Sequence, residues 1–243
     1  MDQTGTPIFL TAEWRHLAML NYEIDPAVLA PFVPAGTELG AWNEKVYVSL
    51  VGFMFLNARV RGCRVPFHQH FEELNLRFYV RRQAEDGWRR GVVFIKELVP
   101  RAAIAFVARK LYNENYLAVP MSHRIEKEGD ALKSARYGWR FNNQENHVQV
   151  VAQGKPEPLI TGSKQEFITE HYWGYARQRD GGTMEYRVEH PRWRVWESHT
   201  AEFQGDAIGL YGPEFGKVLS RPPASAFLAE GSEVTVFAGT RIS

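Results

Sequence analysis

The residues best suited to chemistry lie on one extended segment. From Phe71 to Arg82, Leu74, Leu76, Phe78 and Val80 point to one face of a strand, and Phe71, Glu73, Asn75, Arg77 and Tyr79 to the other. A carboxylate, a carboxamide and a guanidinium thus stand in register. Such a row fits a solvated sheet surface, because charged side chains are mostly exposed. It also fits the inside of a β-barrel, where polar side chains line a ligand cavity. The next strand, from Trp88 to Leu98, places Val93, Ile95 and Glu97 on one face and Val92, Phe94 and Lys96 on the other. Lys96 is the only lysine in a strongly apolar strand. Buried, its amine would have a depressed pKa and could form a Schiff base; near a strand end, its stem could instead carry the amine out to water.

Other reactive groups are weaker signals. His68 and His70 share one face of an extended segment that Glu72 would continue, but no third ligand is evident, and no metal site is assigned. His171, Trp173 and Tyr175 share a face, as do Met184, Tyr186, Val188 and His190 on a hairpin partner. These are either ordinary cross-strand packing or an aromatic pocket wall. Cys63 has Arg61 and Arg64 beside it, but without a neighbouring base it reads as a free thiol. There is no nucleophile-elbow, phosphate-loop or zinc-protease motif.

The elements that must position these residues are mostly strands. Asp25 and Pro26 open a first helix whose apolar face is Val28, Leu29 and Phe32, and Pro34 and Gly36 stop it. Strands follow over about 46–60, 72–82 and 88–98, the last two joined by the Asp86-Gly87 hairpin signal. Ile104, Val107, Ala108 and Leu111 fall at helical spacing after Pro100. Further strands are expected over about 133–141, 146–152, 170–178, 183–189 and 193–203, with a turn at 179–182. Ser163 and Glu166 form a capping-box pattern for a short helix, and the glycine-spaced stretch 205–216 reads as loop. Many long strands and few helices point to a barrel or wrapped sheets with helices outside.

Composition narrows the function classes. The 243 residues carry 29 Lys plus Arg against 28 Asp plus Glu, a net charge of +1. That balance argues against binding nucleic acid or membrane through bulk charge. At 44% hydrophobic and 13% aromatic, the chain can bury a large core, which excludes disorder throughout. Only 8 of the 29 basic residues are lysine, few enough to test each as an amine nucleophile. One cysteine excludes an intrachain disulfide and fits a reducing cytosol. Neither a signal-peptide pattern nor an apolar run of membrane-spanning length is visible. The expectation is a single domain, 1–243, in the cytoplasm; exposed aromatic strands leave a homodimer open.

Two stretches resemble the acetoacetate decarboxylase-like superfamily. The first runs from Arg15-His16-Leu17 through Asp25-Pro26-Ala27-Val28-Leu29 to Val33-Pro34. The second runs from Phe71-Glu72-Glu73 through Pro100-Arg101-Ala102-Ala103-Ile104-Ala105 to Arg109-Lys110-Leu111. The block Thr169-Glu170-His171-Tyr172-Trp173-Gly174-Tyr175 is similar to the YqjF-like branch, a domain of unknown function. The resemblance implies an α+β, mostly β fold: a large β-barrel or cone with a few flanking helices and a funnel-shaped interior. In the decarboxylases a buried lysine forms a Schiff base with a β-keto acid beside an arginine and two glutamates. By resemblance the arginine matches Arg15 and one glutamate Glu73; the other falls near Ser49, and Tyr116 stands where the nucleophilic lysine belongs. Tyrosine forms no iminium, so Schiff-base decarboxylation is expected to be lost unless Lys96 or Lys110 replaces it. The leading expectation is a barrel that binds a small polar or anionic metabolite and needs no cofactor. In it Arg15 and Arg77 hold a carboxylate, Glu73 and Asn75 orient a second polar group, and Tyr79, Tyr116 and Trp173 line the wall. The alternative is a lyase, hydratase or isomerase acting on a small oxo acid through Glu73, with Tyr116 nearby.

Overall fold

The computed structural model describes residues 5–64, 69–100, 115–129 and 131–242. The expected helix over 104–111, together with His68 and Lys110, lies outside them. Among the described residues the chain is one continuous sheet of fifteen strands with four short α-helices. The strands are β1 (Ile8–Ile24), β2 (Glu38–Leu39), β3 (Val46–Val60), β4 (Cys63–Arg64), β5 (Phe71–Ala84), β6 (Gly87–Val99), β7 (Tyr116–Ala118) and β8 (Met121–Glu128). They continue with β9 (Ala131–Phe141), β10 (Gln144–Pro158), β11 (Trp173–Arg177), β12 (Thr183–Glu189), β13 (Arg194–Gln204), β14 (Ser225–Phe237) and β15 (Thr240–Arg241). The helices are α1 (Pro26–Leu29), α2 (Lys164–Thr169), α3 (Ala207–Tyr211) and α4 (Pro213–Leu219).

The hydrogen-bonded order β14-β1-β3-β5-β6-β11-β12 returns to its start, because β12 also pairs with β14 through Val188–Val236 and Glu189–Thr235. Seven strands therefore form a closed circuit with an inside and an outside. From β14 the sheet continues through β13, β10, β9 and β8, which fold back over the outer face of β1, β3 and β5. Two apolar clusters result. The inner one contains Met19, Tyr47, Val51, Phe53, Phe71, Tyr79, Phe167 and Phe227. The outer one contains Leu20, Leu50, Leu74, Leu76, Phe78, Tyr137, Trp139, Leu210 and Phe215. Strands buried on both faces read as long apolar runs, as Val46 to Ala58 does.

Local chemistry explains the boundaries. The Asp25 side chain accepts the Ala27 N–H at 2.8 Å to cap α1, and Pro26 takes the first helical position. Ser163 accepts the Glu166 N–H at 3.1 Å to cap α2. The β5–β6 turn closes at Gly87 with a φ of 114°. Residues 8–24, to which the sequence reading assigns no element, form the longest strand among the described residues, and two expectations change. The stretch 205–216, expected as loop, carries helices: Asp206 caps α3 through the Gly209 N–H at 2.7 Å, and Pro213 starts α4. The strand expected over about 170–178 is shorter, because α2 and a turn occupy the residues before Trp173. No helix among the described residues is long and apolar enough to cross a membrane.

The second layer docks on a gap in β3. A Cβ at Gly52 would lie 2.6 Å from the Tyr137 ring, so glycine there leaves room for that tyrosine. The Tyr137 hydroxyl then donates to the His16 carbonyl at 2.8 Å. His16 has a φ of 57° and marks a β-bulge, where the β1–β3 register shifts between Arg15 and Ala18.

Gly231, with a φ of 76°, faces the Trp14 carbonyl, and a Cβ there would sit 1.9 Å from that oxygen. Gly231→Ala should therefore cost more than the ~1–2 kcal/mol of a left-handed non-glycine residue alone; an unchanged urea midpoint would refute this close approach. Burial, with Lys127, Arg15 and His123 nearby, lowers the His16 pKa from 6.5 to about 4. Below pH 6.5 the unfolded chain binds a proton that the folded one refuses, so this histidine's contribution is intact above 6.5 and is lost as pH falls toward 4. His16→Asn, which tolerates the positive φ, should flatten the decline of unfolding free energy over that window; an identical pH dependence in the variant would show that His16 does not drive it.

Candidate functional site

The polar row of β5 faces the inside of the circuit. Glu73 is 3% exposed, Asn75 2%, Arg77 9% and Tyr79 1%, which rules out the solvated-surface reading. Antiparallel register extends each position across the ring. Asn75 lies opposite Val51 on one side and Glu97 on the other, and Glu97 lies beside Tyr116. Arg77 lies opposite Ser49, which lies opposite Asn21, which lies opposite Ser225.

Part of this face is a closed hydrogen-bond chain. The Ser49 hydroxyl donates to Asn21 Oδ1 at 2.6 Å, and Asn21 Nδ2 donates to Ser225 O and Oγ, both at 3.3 Å. With the single Ser49 proton committed, the Tyr79 hydroxyl 2.5 Å away must be the donor to Ser49 Oγ. The chain runs from β5 through β3 and β1 to β14 and accounts for the buried hydroxyls and carboxamide along it. Tyr79 is therefore bound into the fabric of the ring. Its ring stacks on His171 at 4.6 Å and meets Phe167 edge-on at 5.2 Å.

Helix α2 covers the Tyr79 end of this face. Phe167 and Ile168 are buried in the inner cluster. Carbonyls of the last turn are the negative end of a helix, and cations or donors meet them. Arg77 donates to Ile168 O at 3.3 Å, Arg90 to Phe167 O at 3.0 Å, and His171 Nε2 lies 2.5 Å from Phe167 O. A carbonyl only accepts, so His171 carries its proton on Nε2 and presents a lone pair on Nδ1. Burial, with Arg90 and Arg77 nearby, pushes the His171 pKa well below the ordinary histidine value, so the ring is neutral. Toward the other end, Asn75 Nδ2 donates to Glu73 Oε1 at 3.2 Å. Asn75 Oδ1, Arg77 Nε and His171 Nδ1 are buried and have no hydrogen-bond partner among the described residues.

A second bulge rearranges β6. Leu76 pairs with Lys96 but Arg77 pairs with Phe94, so one extra residue interrupts the alternation. The expected grouping of Glu97 with Val93 and Ile95 is thereby corrected. Glu97 turns inward beside Asn75, and Lys96 turns outward with Leu76, where its Nζ donates to Leu210 O at the end of α3. Lys96 cannot serve as an amine in the ring. Simple alternation could not reveal Glu97.

The other expected residues divide. Tyr116 joins the row of Asn75 and Glu97. Arg15 does not join: it lies in register with Met54, itself opposite Glu72, on the outer face, where its guanidinium pairs with Glu13 at 2.9 Å and donates to Gly231 O at 3.1 Å. Trp173 packs against the outer cluster, with the Arg89 guanidinium 4.1 Å over its ring. His171 belongs to the turn before β11 and points to Tyr79, away from Trp173 and Tyr175. Its ring was missed as a site residue because the segment reads as uninterrupted strand. Glu72 is engaged with His123 at 2.6 Å, and no group of three metal-type ligands occurs among the described residues.

The architecture is shared with known proteins. The chain aligns with acetoacetate decarboxylase from Legionella pneumophila at a TM-score of 0.67 and 12% identity, covering 97% of this chain and 87% of that one. The enduracididine biosynthesis enzyme MppR complexed with pyruvate aligns at a TM-score of 0.66 and 12% identity, over 99% and 92% of the two chains. At such identities the likeness is one of fold. The uncharacterized protein YqjF of Bacillus subtilis is 27% identical over 215 residues, 85% of this chain and 84% of that protein. Residues 11–233 match the DUF2071 family, described as an uncharacterized conserved protein, and the chain belongs to that family.

Proposed function

We propose that the inner face of the ring binds a small carboxylate-bearing metabolite, and that it does so without Schiff-base chemistry. The observation that carries this is Arg77. The residue is 9% exposed, and among the described residues its guanidinium makes one hydrogen bond, at 3.3 Å to a helix carbonyl, lies 5.8 Å from the centre of the Tyr79 ring, and leaves Nε without a partner. A buried ion costs several kcal/mol unless it is paired, and one long hydrogen bond does not offset that. A carboxylate meets a guanidinium with matched, charge-assisted hydrogen bonds. MppR in complex with pyruvate offers a precedent for a small carboxylate in this fold. Against an iminium stand Tyr116 at the matched nucleophile position and the outward turn of Lys96. The single, exposed thiol of Cys63 suits a protein of the reducing cytosol.

A second reading rests on the adjacency of Glu73, Asn75, Glu97 and Tyr116. A carboxylate held by a carboxamide beside a phenol can move a proton at carbon next to a carbonyl. In this reading Glu73 takes the proton of an oxo acid and Tyr116 stabilises the enolate oxygen.

Both readings can be measured. In a thermal-shift screen of two- to six-carbon carboxylates, at least one should raise the melting temperature, and Arg77→Met should weaken it about 10- to 100-fold, as expected for a lost charged hydrogen bond. Equal binding by Arg77→Met would end the role of that residue, and a borohydride-trapped adduct with pyruvate or acetoacetate would restore amine chemistry. For the second reading, deuterium exchange into the pyruvate methyl group should fall at least 100-fold in Glu73→Gln; no exchange with the unaltered protein would remove it.

A further inference from the structure

We infer that the ligand carries a hydrogen-bond donor, a hydroxyl or an amino group, next to its carboxylate, where an oxo acid offers only acceptors. The inference rests on the carboxylate reading of Arg77 and goes on to the substrate class. It follows from which buried atoms are left over. Asn75 faces an acceptor, Glu73 Oε1, with its Nδ2, so the unpartnered atom Oδ1 can only accept. His171 donates from Nε2 to the Phe167 carbonyl, so its unpartnered Nδ1 can only accept as well. Arg77 Nε can only donate.

These groups follow one another along one face: Asn75, Arg77 two residues on, then Tyr79 with His171 stacked on its ring. The face therefore asks for one acceptor flanked by donors. An oxo acid would satisfy Arg77 but would set a keto lone pair against the lone pair of Asn75 or of His171, on whichever side of Arg77 it lies. A hydroxy or amino acid of the same carbon skeleton satisfies Arg77 with its carboxylate and an acceptor with its O–H or N–H. A buried group built to hydrogen-bond a donor rejects the analogue that lacks it far more strongly than an apolar pocket can. The neutrality of His171 is consistent with a lone pair held ready at neutral pH.

Titration calorimetry on the full chain with L-lactate, L-alanine and pyruvate, all three-carbon acids, separates the cases. Lactate or alanine should bind at least tenfold tighter than pyruvate, and the ratio should fall to about one in Asn75→Leu. His171→Phe, which keeps a ring against Tyr79, gives a second reading of the ratio if Asn75→Leu does not fold; the ratio should fall there too. Pyruvate binding as tightly as both others would overturn the inference and leave the carboxylate site intact, as would a ratio unchanged in both variants. If none of the three binds, the inference also fails. The carboxylate reading then stands only if another acid in the wider screen binds and loses affinity in Arg77→Met.

Discussion

A sheet that pairs with its own far edge acquires an inside, and every polar group buried there must find a partner other than bulk water. In this chain the closing contact is short, two residue pairs between β12 and β14. Its consequences reach the whole molecule. The row Glu73, Asn75, Arg77 and Tyr79 would be an ordinary wet surface on an open sheet. Inside a closed circuit it becomes a set of buried donors and acceptors to be satisfied one by one. The chain from Tyr79 through Ser49 and Asn21 to Ser225 satisfies the Tyr79 hydroxyl together with three polar side chains of β3, β1 and β14. Helix α2 meets others by turning its last carbonyls toward Arg77, Arg90 and His171. Stability and site chemistry are thus two outcomes of one requirement.

Two bulges decide which chemistry the inside holds. Strand periodicity is two, so one extra residue exchanges the faces of everything beyond it. In β1 the extra residue at His16 lets Trp14 and Leu17 both point inward and leaves Arg15 outside with Glu13. In β6 the shift between Phe94 and Lys96 sends the lysine out to the α3 carbonyl and brings Glu97 in. The bulge in β1 moves Arg15, and the bulge in β6 moves both Lys96 and Glu97, to the face opposite the one that uninterrupted alternation assigns. A ring without them would hold a lysine and lack a carboxylate at the level of Asn75.

What could be read from the residues follows the same logic. Strand β5 was legible because its alternation is unbroken over the polar row, and its hairpin because Asp86-Gly87 demands the conformation that Gly87 adopts. Asp25 and Ser163 announced their helices because capping is local chemistry. The bulges were not legible, since the register shift in β6 is fixed by pairing with β5 and no residue type within Phe94–Lys96 betrays it. Strand β1 escaped notice because its second half is buried on both faces, so its apolar residues show no period. Helices α3 and α4 were hidden by their glycines: a Cβ at Gly209 would strike the capping carboxylate of Asp206, and one at Gly216 would strike Ile208, so spacing that looks like loop is close packing.

The distribution of satisfied and unsatisfied groups divides the inside of the ring. On the side of β3, β1 and β14, Ser49, Asn21 and Ser225 are bonded to one another, and their neighbours Val51, Met19 and Phe227 are apolar. That wall has little hydrogen-bonding capacity to offer a ligand. On the side of β5, β6, β7 and α2, Asn75 and Arg77 keep open atoms beside Glu97, Tyr116 and His171. In the proposed reading, recognition is confined to one half of the ring, and the other half serves as its brace. Arg15 can accordingly face outward, paired with Glu13. The strand that carries it belongs to the bonded, apolar wall, and the guanidinium on the inside is that of Arg77, on the opposite half and bonded to the helix that covers it.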